Sequence, residues 1–385
     1  MKDIRDLVIV GAGPAGTAAA IEAKRRGLTV WLLDKKQFPR DKTCGDGVSS
    51  GAGKILKDMG IPLESGTLRA RTLSGVSIEG PAGTERTYIA EESSGMAFTS
   101  RRMDLDKALF DKALEVGAEF KQATVKKLLR DERNKVVGVV ANDGQEYRGK
   151  IVVAADGATS VIRRELMGAG ERPYVTAIAA RAYAQLKAEL LPVIYLKYLP
   201  NLVPGYLWVF PLSDNEANVG VGVFARQTYK NSGIKFKDIL QQFQQENSIP
   251  MEIDMDTYQT WQIPCWTPSM PGTKSGMRII DGVCLVGDAG GYVDYLTGGG
   301  IKYAISTGMS AAQRAEDIIV QGASERQADS GYLFRYRRDV RKSLFIAYLA
   351  QEILGKHPAL MNVLLRKIPE GKEGTFLRAL VGGHA

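Results

Sequence analysis

The chain has few of the residues that most often build metal sites or disulfide frameworks. Its three cysteines, Cys44, Cys265 and Cys284, are too widely spaced for a zinc site or a set of disulfides. Its two histidines, His357 and His384, both lie near the C-terminus. We therefore expect no metal, no disulfide-rich secreted fold and no histidine base in the core. A reducing, cytoplasmic location is the expectation that follows.

Long apolar runs are also missing. No stretch reaches the roughly 20 apolar residues that span a bilayer, and the first predicted strand begins so close to Met1 that we expect no signal peptide. The formal net charge is +8. That charge fits a basic surface, or attraction to an anionic lipid, a diphosphate group or an acidic electron carrier. No nucleic-acid motif occurs, so no nucleic acid partner is predicted.

What the chain does contain is a glycine fingerprint near its start. Residues 7–16 read Leu-Val-Ile-Val-Gly-Ala-Gly-Pro-Ala-Gly, and a second apolar run at 30–33 ends in an acid. The glycines allow a tight turn, a close approach of backbone to a pyrophosphate and close packing of the next helix, while the acid is placed to bind a ribose. This order of elements predicts a dinucleotide site. Its predicted contacts are Gly11, Gly13, Pro14, Ala15, Gly16, Asp34 and Lys35.

Two later segments share the form of a buried strand followed by a glycine-acid turn. One is Asp156-Gly157 after the run 151–155, and the other is Gly287-Asp288 after 283–286, with a long helix expected over 301–320. Between them, residues 175–265 alternate apolar and polar side chains, which is typical of an antiparallel sheet. The pattern indicates that one dinucleotide-binding domain is assembled from separated pieces.

These markers, over about residues 5–320, resemble the FAD-dependent hydroxylase superfamily typified by para-hydroxybenzoate hydroxylase. The resemblance implies an α/β fold: a split Rossmann-type FAD-binding domain with a parallel sheet, an antiparallel-sheet substrate domain and C-terminal helices. The expected bounds are 1–70, 95–174 and 275–325 for the FAD-binding domain, 71–94 and 175–274 for the substrate domain, and 326–385 for the C-terminal helical segment.

Finer motifs are similar to those of geranylgeranyl and menaquinone reductases. They are residues 38–47, Phe-Pro-Arg-Asp-Lys-Thr-Cys-Gly-Asp-Gly, and an aromatic strand from Tyr206 followed by Gly-x-Gly. The resemblance implies that the first segment, with Cys44, Gly45 and Gly47, lies beside the flavin ring, and that the strand borders a prenyl channel. The substrate contacts implied are Tyr206, Trp208, Phe210, Gly220 and Gly222. The further cofactor contacts implied are Arg102, Val125, Asp288, Gly298, Gly299, Gly300 and Ile301.

The chain departs from the family at residues 294–301. The usual Asn-Pro-Leu-Thr-Gly-Glu-Gly-Ile is replaced by Asp-Tyr-Leu-Thr-Gly-Gly-Gly-Ile. The change places Asp294 and Tyr295 near the expected chemistry as alternative proton sources to Cys44. Each also has a plain structural interpretation, as a turn residue or, for the cysteine, as a small side chain where a loop passes the ring.

The aromatic strand predicts its own register. If Leu212 pairs with Glu216 in a hairpin, Gly220 lies opposite Trp208 and Gly222 lies opposite Tyr206. The glycines would then leave a slot beside the rings for an isoprenoid chain. The alternative is that aromatic and glycine residues only pack the sheet.

The predicted function is reduction of C=C bonds in an isoprenoid chain by hydride from reduced FAD. The single fingerprint leaves no site for a stably bound nicotinamide nucleotide, so NAD(P)H or reduced ferredoxin is expected as an external donor. The partner is a prenyl-chain small molecule or lipid. Aliphatic and basic residues of the C-terminal helices allow peripheral association with an anionic membrane, at its inner face. A monooxygenase or halogenase, or a non-enzymatic flavoprotein, are the alternatives.

Overall fold

The computed structural model describes residues 3–63, 68–89, 97–168, 174–224, 233, 235–268 and 278–367. Two large sheets and a set of helices make up this part of the chain, which confirms the predicted α/β class. Residues 368–385 of the predicted C-terminal segment lie outside the described residues. Within the described ranges, no helix combines the length and the apolar character needed to cross a membrane.

The strands and helices are numbered in chain order. The strands are β1 Ile4–Val10, β2 Val30–Asp34, β3 Gly47–Val48, β4 Arg71–Thr72, β5 Gly75–Glu79, β6 Glu85–Ile89, β7 Phe98–Thr99, β8 Glu119–Gln122, β9 Val125–Arg130, β10 Val136–Ala141, β11 Glu146–Ala154, β12 Tyr174–Leu186, β13 Val193–Lys197, β14 Tyr206–Pro211, β15 Glu216–Val223, β16 Met251–Trp266, β17 Ile279–Ile280 and β18 Val283–Leu285. The helices are α1 Pro14–Arg25, α2 Ser50–Asp58, α3 Arg102–Glu115, α4 Val161–Met167, α5 Phe236–Glu246, α6 Ile301–Ile319, α7 Glu325–Tyr336, α8 Lys342–Lys356 and α9 Ala359–Lys367.

The first large sheet has eight strands and holds the glycine fingerprint. Its main path runs β17-β18-β11-β1-β2-β8, with β9 and β10 attached beside β11. Strands β18, β11, β1, β2 and β8 are parallel along this path. Their carboxyl ends therefore share one edge, where ligands of such sheets bind. At that edge Gly11 has a φ of 98°, and a Cβ there would lie 2.3 Å from the Ala155 carbonyl oxygen.

Pairing decides where two strands of this sheet begin and end. The buried run 151–155 is part of the longer strand β11, which begins in the antiparallel pairing with β10 and continues beside β1. The stretch 119–130 is divided into two strands, β8 and β9. The break follows from pairing, because β8 lies beside β2 whereas β9 lies beside β10.

The second large sheet has seven strands in the order β16-β12-β15-β14-β13-β5-β6. The predicted hairpin is confirmed: the Leu212 amide donates to the Glu216 carbonyl at 2.8 Å, and the register places Trp208 opposite Gly220. The rings of Tyr206, Trp208 and Phe210 follow one another on one face, with centroids 6.2 and 6.1 Å apart. Helix α5 packs its apolar side chains against the other face.

The predicted open slot beside these rings is wrong. A Cβ at Gly220 would lie 2.1 Å from Cζ2 of Trp208 and 2.4 Å from the Ala180 carbonyl oxygen, so the indole itself fills the space that the glycine frees. At Gly222 the nearest atoms would be 3.7 Å away, in ordinary contact. The Trp208 ring therefore packs directly on Gly220, which has no side chain in its way.

This arrangement predicts different outcomes for two neighbouring substitutions. Gly220→Ala forces the Trp208 ring and the sheet backbone to move, and we expect it to lower the free energy of unfolding by about 1–3 kcal/mol. Gly222→Ala, the matched control on the same strand, should change it by less than about 1 kcal/mol. Urea unfolding followed by near-UV circular dichroism measures both. Equal destabilisation by the two substitutions would contradict the packing of the Trp208 ring on Gly220.

Candidate active site

A cleft of about 490 Å³ opens at the carboxyl ends of the parallel strands. This volume lies within the roughly 300–1,000 Å³ typical of ligand sites. Gly16 does not line the cleft; it packs against the glycine turn, where a Cβ would lie 1.8 Å from the Gly11 carbonyl oxygen. Most of the predicted cofactor contacts line the cleft, namely Gly11, Gly13, Pro14, Ala15, Asp34, Lys35, Arg102, Val125 and Asp288.

Helix α1 points its N-terminus at this cleft. Gly13 is its N-cap and supplies no side-chain cap, and no acidic residue lies in the first turn. The first amide groups and the positive end of the helix dipole are thus suited to a phosphate. Asp34, at the end of β2, accepts hydrogen bonds from the amides of Ala12 at 2.8 Å and Lys36 at 2.9 Å. It thereby links the strand end to the glycine turn.

Paired charges line the walls of the cleft. Arg102 makes a bidentate pair with buried Asp106, at 2.7 and 2.8 Å, and Arg40 reaches the same carboxylate at 3.1 Å. Lys42 contacts Asp288 at 3.0 Å. Burial by itself would raise the pKa of Asp288, but the charge and hydrogen bond of Lys42 and the charges of Arg102 and Arg163 together lower the pKa. Asp288 is therefore an ionised hydrogen-bond acceptor at neutral pH.

Asp156 has the structural role expected of a turn residue. Its Oδ2 accepts from the amides of Val161 at 2.8 Å and Ile162 at 3.3 Å, which holds the start of α4. An amide-lined helix N-terminus, an acid after the second strand and lining cations together fit a dinucleotide with a pyrophosphate bridge and ribose hydroxyls.

A second, smaller cavity of about 110 Å³ lies between the second large sheet and the segment that leads into α6. Tyr206 and Phe210 line one side, while Trp208 lies between their rings and is not part of the lining. Gly220 and Gly222 lie beneath the indole and do not line the cavity either. The lining also includes predicted cofactor contacts, namely Gly47, Gly299, Gly300 and Ile301.

The loop from Cys44 to Gly47 joins the two motifs that the sequence singled out. A Cβ at Gly45 would lie 3.3 Å from Nε1 of Trp208, and one at Gly47 would lie 2.9 Å from Cε2 of Phe210. The loop backbone therefore rests directly on the aromatic strand. Gly298 lies close to the same strand: its φ is 68°, and an added Cβ would lie 3.7 Å from the Tyr206 hydroxyl oxygen.

The three predicted proton sources differ in their surroundings. Burial raises the pKa of the Cys44 thiol, with Arg102 opposing the effect, so the thiol is neutral. Asp294 lines the cavity, but its Oδ1 accepts from the amides of Leu296 and Thr297, each at 2.9 Å. That geometry fits the turn role that the sequence left open for Asp294.

Tyr295 does not reach the cavity. Its hydroxyl donates to the Phe224 carbonyl oxygen at 2.9 Å, and its ring stacks on Tyr348 of α8. In this structure Tyr295 therefore lies outside the cavity lining, and its role as a proton source stays a prediction.

Several lining residues were not identified from the sequence. They include Ile194, Leu196, Tyr198, Lys302 and Tyr303. Lys302 and Tyr303 directly follow the predicted contact Ile301, so the start of α6 was the available signal. Tyr198 follows β13 and reaches the site only because β13 pairs with β14. Burial lowers the pKa of Lys302, with Asp339 opposing the effect.

Known proteins are similar to this chain in sequence. The family described as FAD binding domain matches residues 5–314. A digeranylgeranylglycerophospholipid reductase of Methanosarcina acetivorans is 32% identical over 367 residues, covering 90% of this chain and 84% of that protein. A menaquinone reductase of Mycobacterium tuberculosis is 30% identical over 320 residues, covering 81% of this chain and 77% of the relative.

Solved structures share the fold. A geranylgeranyl bacteriochlorophyll reductase-like protein of Thermoplasma acidophilum superposes with a TM-score of 0.81 at 23% identity, covering 98% of this chain and 96% of that one. A flavin-dependent brominase gives a TM-score of 0.74 at 21% identity, covering 99% and 94%. At these identities the structures speak only for the fold. The sequence relatives and the matched domain go further: this chain belongs to the FAD-binding-domain family and, within it, to the geranylgeranyl reductase branch of FAD-dependent oxidoreductases.

Proposed function

We propose that the protein saturates C=C bonds of an isoprenoid chain. The observation that carries the proposal is the aromatic cavity, which meets the dinucleotide cleft at the Cys44–Gly47 loop. An apolar chain in the cavity would lie against the rings of Tyr206 and Phe210. Relatives named for reduction of prenyl lipids and menaquinone support a substrate of this class.

Reduction of an isolated C=C bond requires a water-free environment that stabilises a developing positive charge on the alkene. An isolated alkene has no carbonyl to stabilise developing charge, and FAD, once bound and reduced, supplies the hydride. Aromatic faces favour a developing carbocation by roughly 0.5–2 kcal/mol each when desolvated. Tyr206 and Phe210 provide two such faces at the cavity. The glycines Gly47, Gly299 and Gly300 also line the cavity and add no side chains to it.

We assign the proton to Cys44, which is not itself a lining residue but lies on the loop between Thr43, which lines the cleft, and Gly47, which lines the cavity. Its raised pKa keeps the thiol protonated at neutral pH, as a proton donor requires. Arg102 lies close enough to lower the pKa of the thiol in part, and it would stabilise the thiolate left after proton transfer. The electron donor is proposed to be NAD(P)H or reduced ferredoxin, acting transiently from outside.

We also propose peripheral attachment to an anionic membrane on the cytoplasmic side, through helix α8. Ile346, Leu349 and Ile353 are 46%, 44% and 49% exposed and follow each other at helical spacing on one face. Exposed lysines, Lys342 and Lys356, lie at the two ends of this stripe. The opposite face of α8 packs in the apolar cluster that includes Tyr206 and Trp208. A lipid chain would thus have a short path to the cavity.

The reductase proposal predicts product without oxygen. The FAD-loaded protein is reduced chemically under anaerobic conditions and given digeranylgeranylglycerophospholipid, menaquinone or geranylgeranyl diphosphate. Mass spectrometry should find products heavier by pairs of hydrogens, in amounts that match the flavin reoxidised. Phe210→Ala should keep FAD and lower turnover by about two- to thirtyfold, because the loss of one aromatic face costs roughly 0.5–2 kcal/mol.

Phe334→Ala is the matched control, since Phe334 is 66% exposed on α7 and lines neither cavity. It should turn over like the wild type. Absence of reduced product with all three substrates, together with an oxygen-dependent product under air, would replace the proposal with the monooxygenase or halogenase alternative.

Asp34 is expected to hold FAD. Asp34→Ala removes a carboxylate that anchors the glycine turn and faces the cleft, so FAD affinity should fall by about tenfold or more. Flavin absorbance per protein after gel filtration and titration of the flavin-free protein measure the loss. Asp143→Ala is the control: it also accepts a local amide hydrogen bond, at 3.0 Å from Gln145, but does not line the cleft. Unchanged flavin content in Asp34→Ala would exclude this role.

The membrane proposal is tested by sedimentation with phosphatidylglycerol vesicles. Replacing Ile346, Leu349 and Ile353 together by serine removes the apolar stripe, and binding should weaken by about tenfold or more. Leu114→Ser, on helix α3 and 39% exposed, should bind like the wild type. Equal binding by the triple variant would show that α8 is not the attachment surface.

A further inference from the structure

A buried carboxylate lies where the cofactor loop meets the second sheet. Asp46 is 1% exposed, and its backbone has a φ of 62°, a left-handed conformation that residues other than glycine rarely adopt. Such conformations cost energy and persist where the surroundings require them. The mechanism proposed above assigns no role to this residue.

Asp46 accepts three hydrogen bonds from three different elements. Its Oδ1 accepts from the Arg102 amide of α3 at 3.0 Å. Its Oδ2 accepts from the Tyr183 hydroxyl of β12 at 3.1 Å and from Nδ2 of Asn218 of β15 at 2.8 Å. The carboxylate therefore joins the first sheet's loop and helix to two strands of the second sheet.

Asn218 carries the connection to the aromatic strand. Its Nδ2 also donates to the Cys44 carbonyl oxygen at 2.8 Å, and its Oδ1 accepts from Nε1 of Trp208 at 2.9 Å. Both ends of this buried amide are thus committed, and its orientation is fixed by the acceptors around Nδ2. A change at the Asp46 carboxylate is transmitted to the Trp208 indole and to the Cys44 peptide.

We propose that Asp46 is a positioning residue whose carboxylate, acting through Asn218, sets the Trp208 indole and the Cys44–Gly47 loop against each other. In the ionised form it accepts all three hydrogen bonds. In the protonated form the new O–H competes with donors for the same space, so one of these bonds is lost. The arrangement of the indole should then depend on pH.

The surroundings of Asp46 place its protonation within a pH range that can be studied with the folded protein. Burial raises the pKa of Asp46 to about 6, against the opposing effects of Asn218, the Arg102 amide, Tyr183 and Arg181. The Tyr183 ring lies between the guanidinium groups of Arg101 and Arg181, at 4.3 and 4.4 Å. The titratable and charged groups that face Asp46 or its immediate partners are Asp41, Cys44, Arg101, Arg102, Arg181 and Tyr183.

The test observes Trp208 directly and needs no substrate. The FAD-loaded protein is labelled with 5-fluorotryptophan, and the Trp208 resonance is assigned with Trp208→Phe. Its ¹⁹F shift, followed from about pH 5 to about pH 8, should titrate with a midpoint near 6. The titration should vanish in Asp46→Asn. A resonance that does not titrate in the wild type, or one that titrates equally in Asp46→Asn, would overturn the proposal.

A second variant covers the case in which Asp46→Asn does not fold. Tyr183→Phe removes one donor to the carboxylate, so the midpoint should move to higher pH, by up to about one pH unit. Tyr195→Phe, half-buried on β13 of the same sheet and outside this set of bonds, should leave the midpoint unchanged. An unchanged midpoint in Tyr183→Phe would contradict the inference.

The effect on turnover rests on the proposed function and is measured separately. If the protein reduces prenyl chains, kcat should fall as pH drops through about 6 in the wild type, and this acidic limb should be missing in Asp46→Asn. The ¹⁹F titration with no detectable reduction would leave the positioning role standing and reject the reductase. Reduction with no ¹⁹F titration would do the reverse.

Discussion

The close contact between the Cys44–Gly47 loop and the aromatic strand is the constraint on which the rest of the site depends. Gly45 and Gly47 carry no side chains, so the loop backbone lies directly on the rings of Trp208 and Phe210. A Cβ at Gly47 would lie 2.9 Å from Cε2 of Phe210, so a larger residue there would require the ring or the loop to move. The loop lies between the dinucleotide cleft, which Thr43 lines, and the apolar cavity, which Gly47 lines. A chain in the cavity can therefore approach a cofactor in the cleft.

The two compartments divide the chemistry between them. The cleft has a helix N-terminus and cations, among them Arg40, Lys42 and Arg102, which suit phosphates. The cavity is walled mainly by aromatic, aliphatic and glycine residues, which suit an uncharged chain. Burial raises the pKa of the Tyr206 hydroxyl as well as that of the Cys44 thiol, so both remain neutral beside it. The charged groups that suit phosphates thus lie in the cleft, and the apolar groups that suit the uncharged chain lie in the cavity.

Local sequence patterns determined much of this architecture in advance. The glycine fingerprint predicted the first strand, its helix and Asp34, and the turn at Leu212–Glu216 predicted the strand register. Properties that depend on distant partners were not predictable. The Trp208 rotamer fills the expected slot, and Tyr295 turns toward Phe224 instead of the cavity. The bonds of Asp46 to Tyr183 and Asn218 join residues 137 and 172 positions apart, a separation at which no local pattern operates.

The most direct test of the account is a crystal structure of the reduced, FAD-loaded protein with a saturated prenyl-lipid product. We expect FAD to occupy the cleft, with its pyrophosphate near Gly13, its ribose near Asp34 and its flavin ring toward the Cys44–Gly47 loop. We expect the hydrocarbon chain to lie in the cavity that Tyr206, Phe210 and the residues 299–301 line. A chain bound elsewhere, with the aromatic cavity filled by side chains or water, would contradict the central claim that this cavity is the site of prenyl reduction.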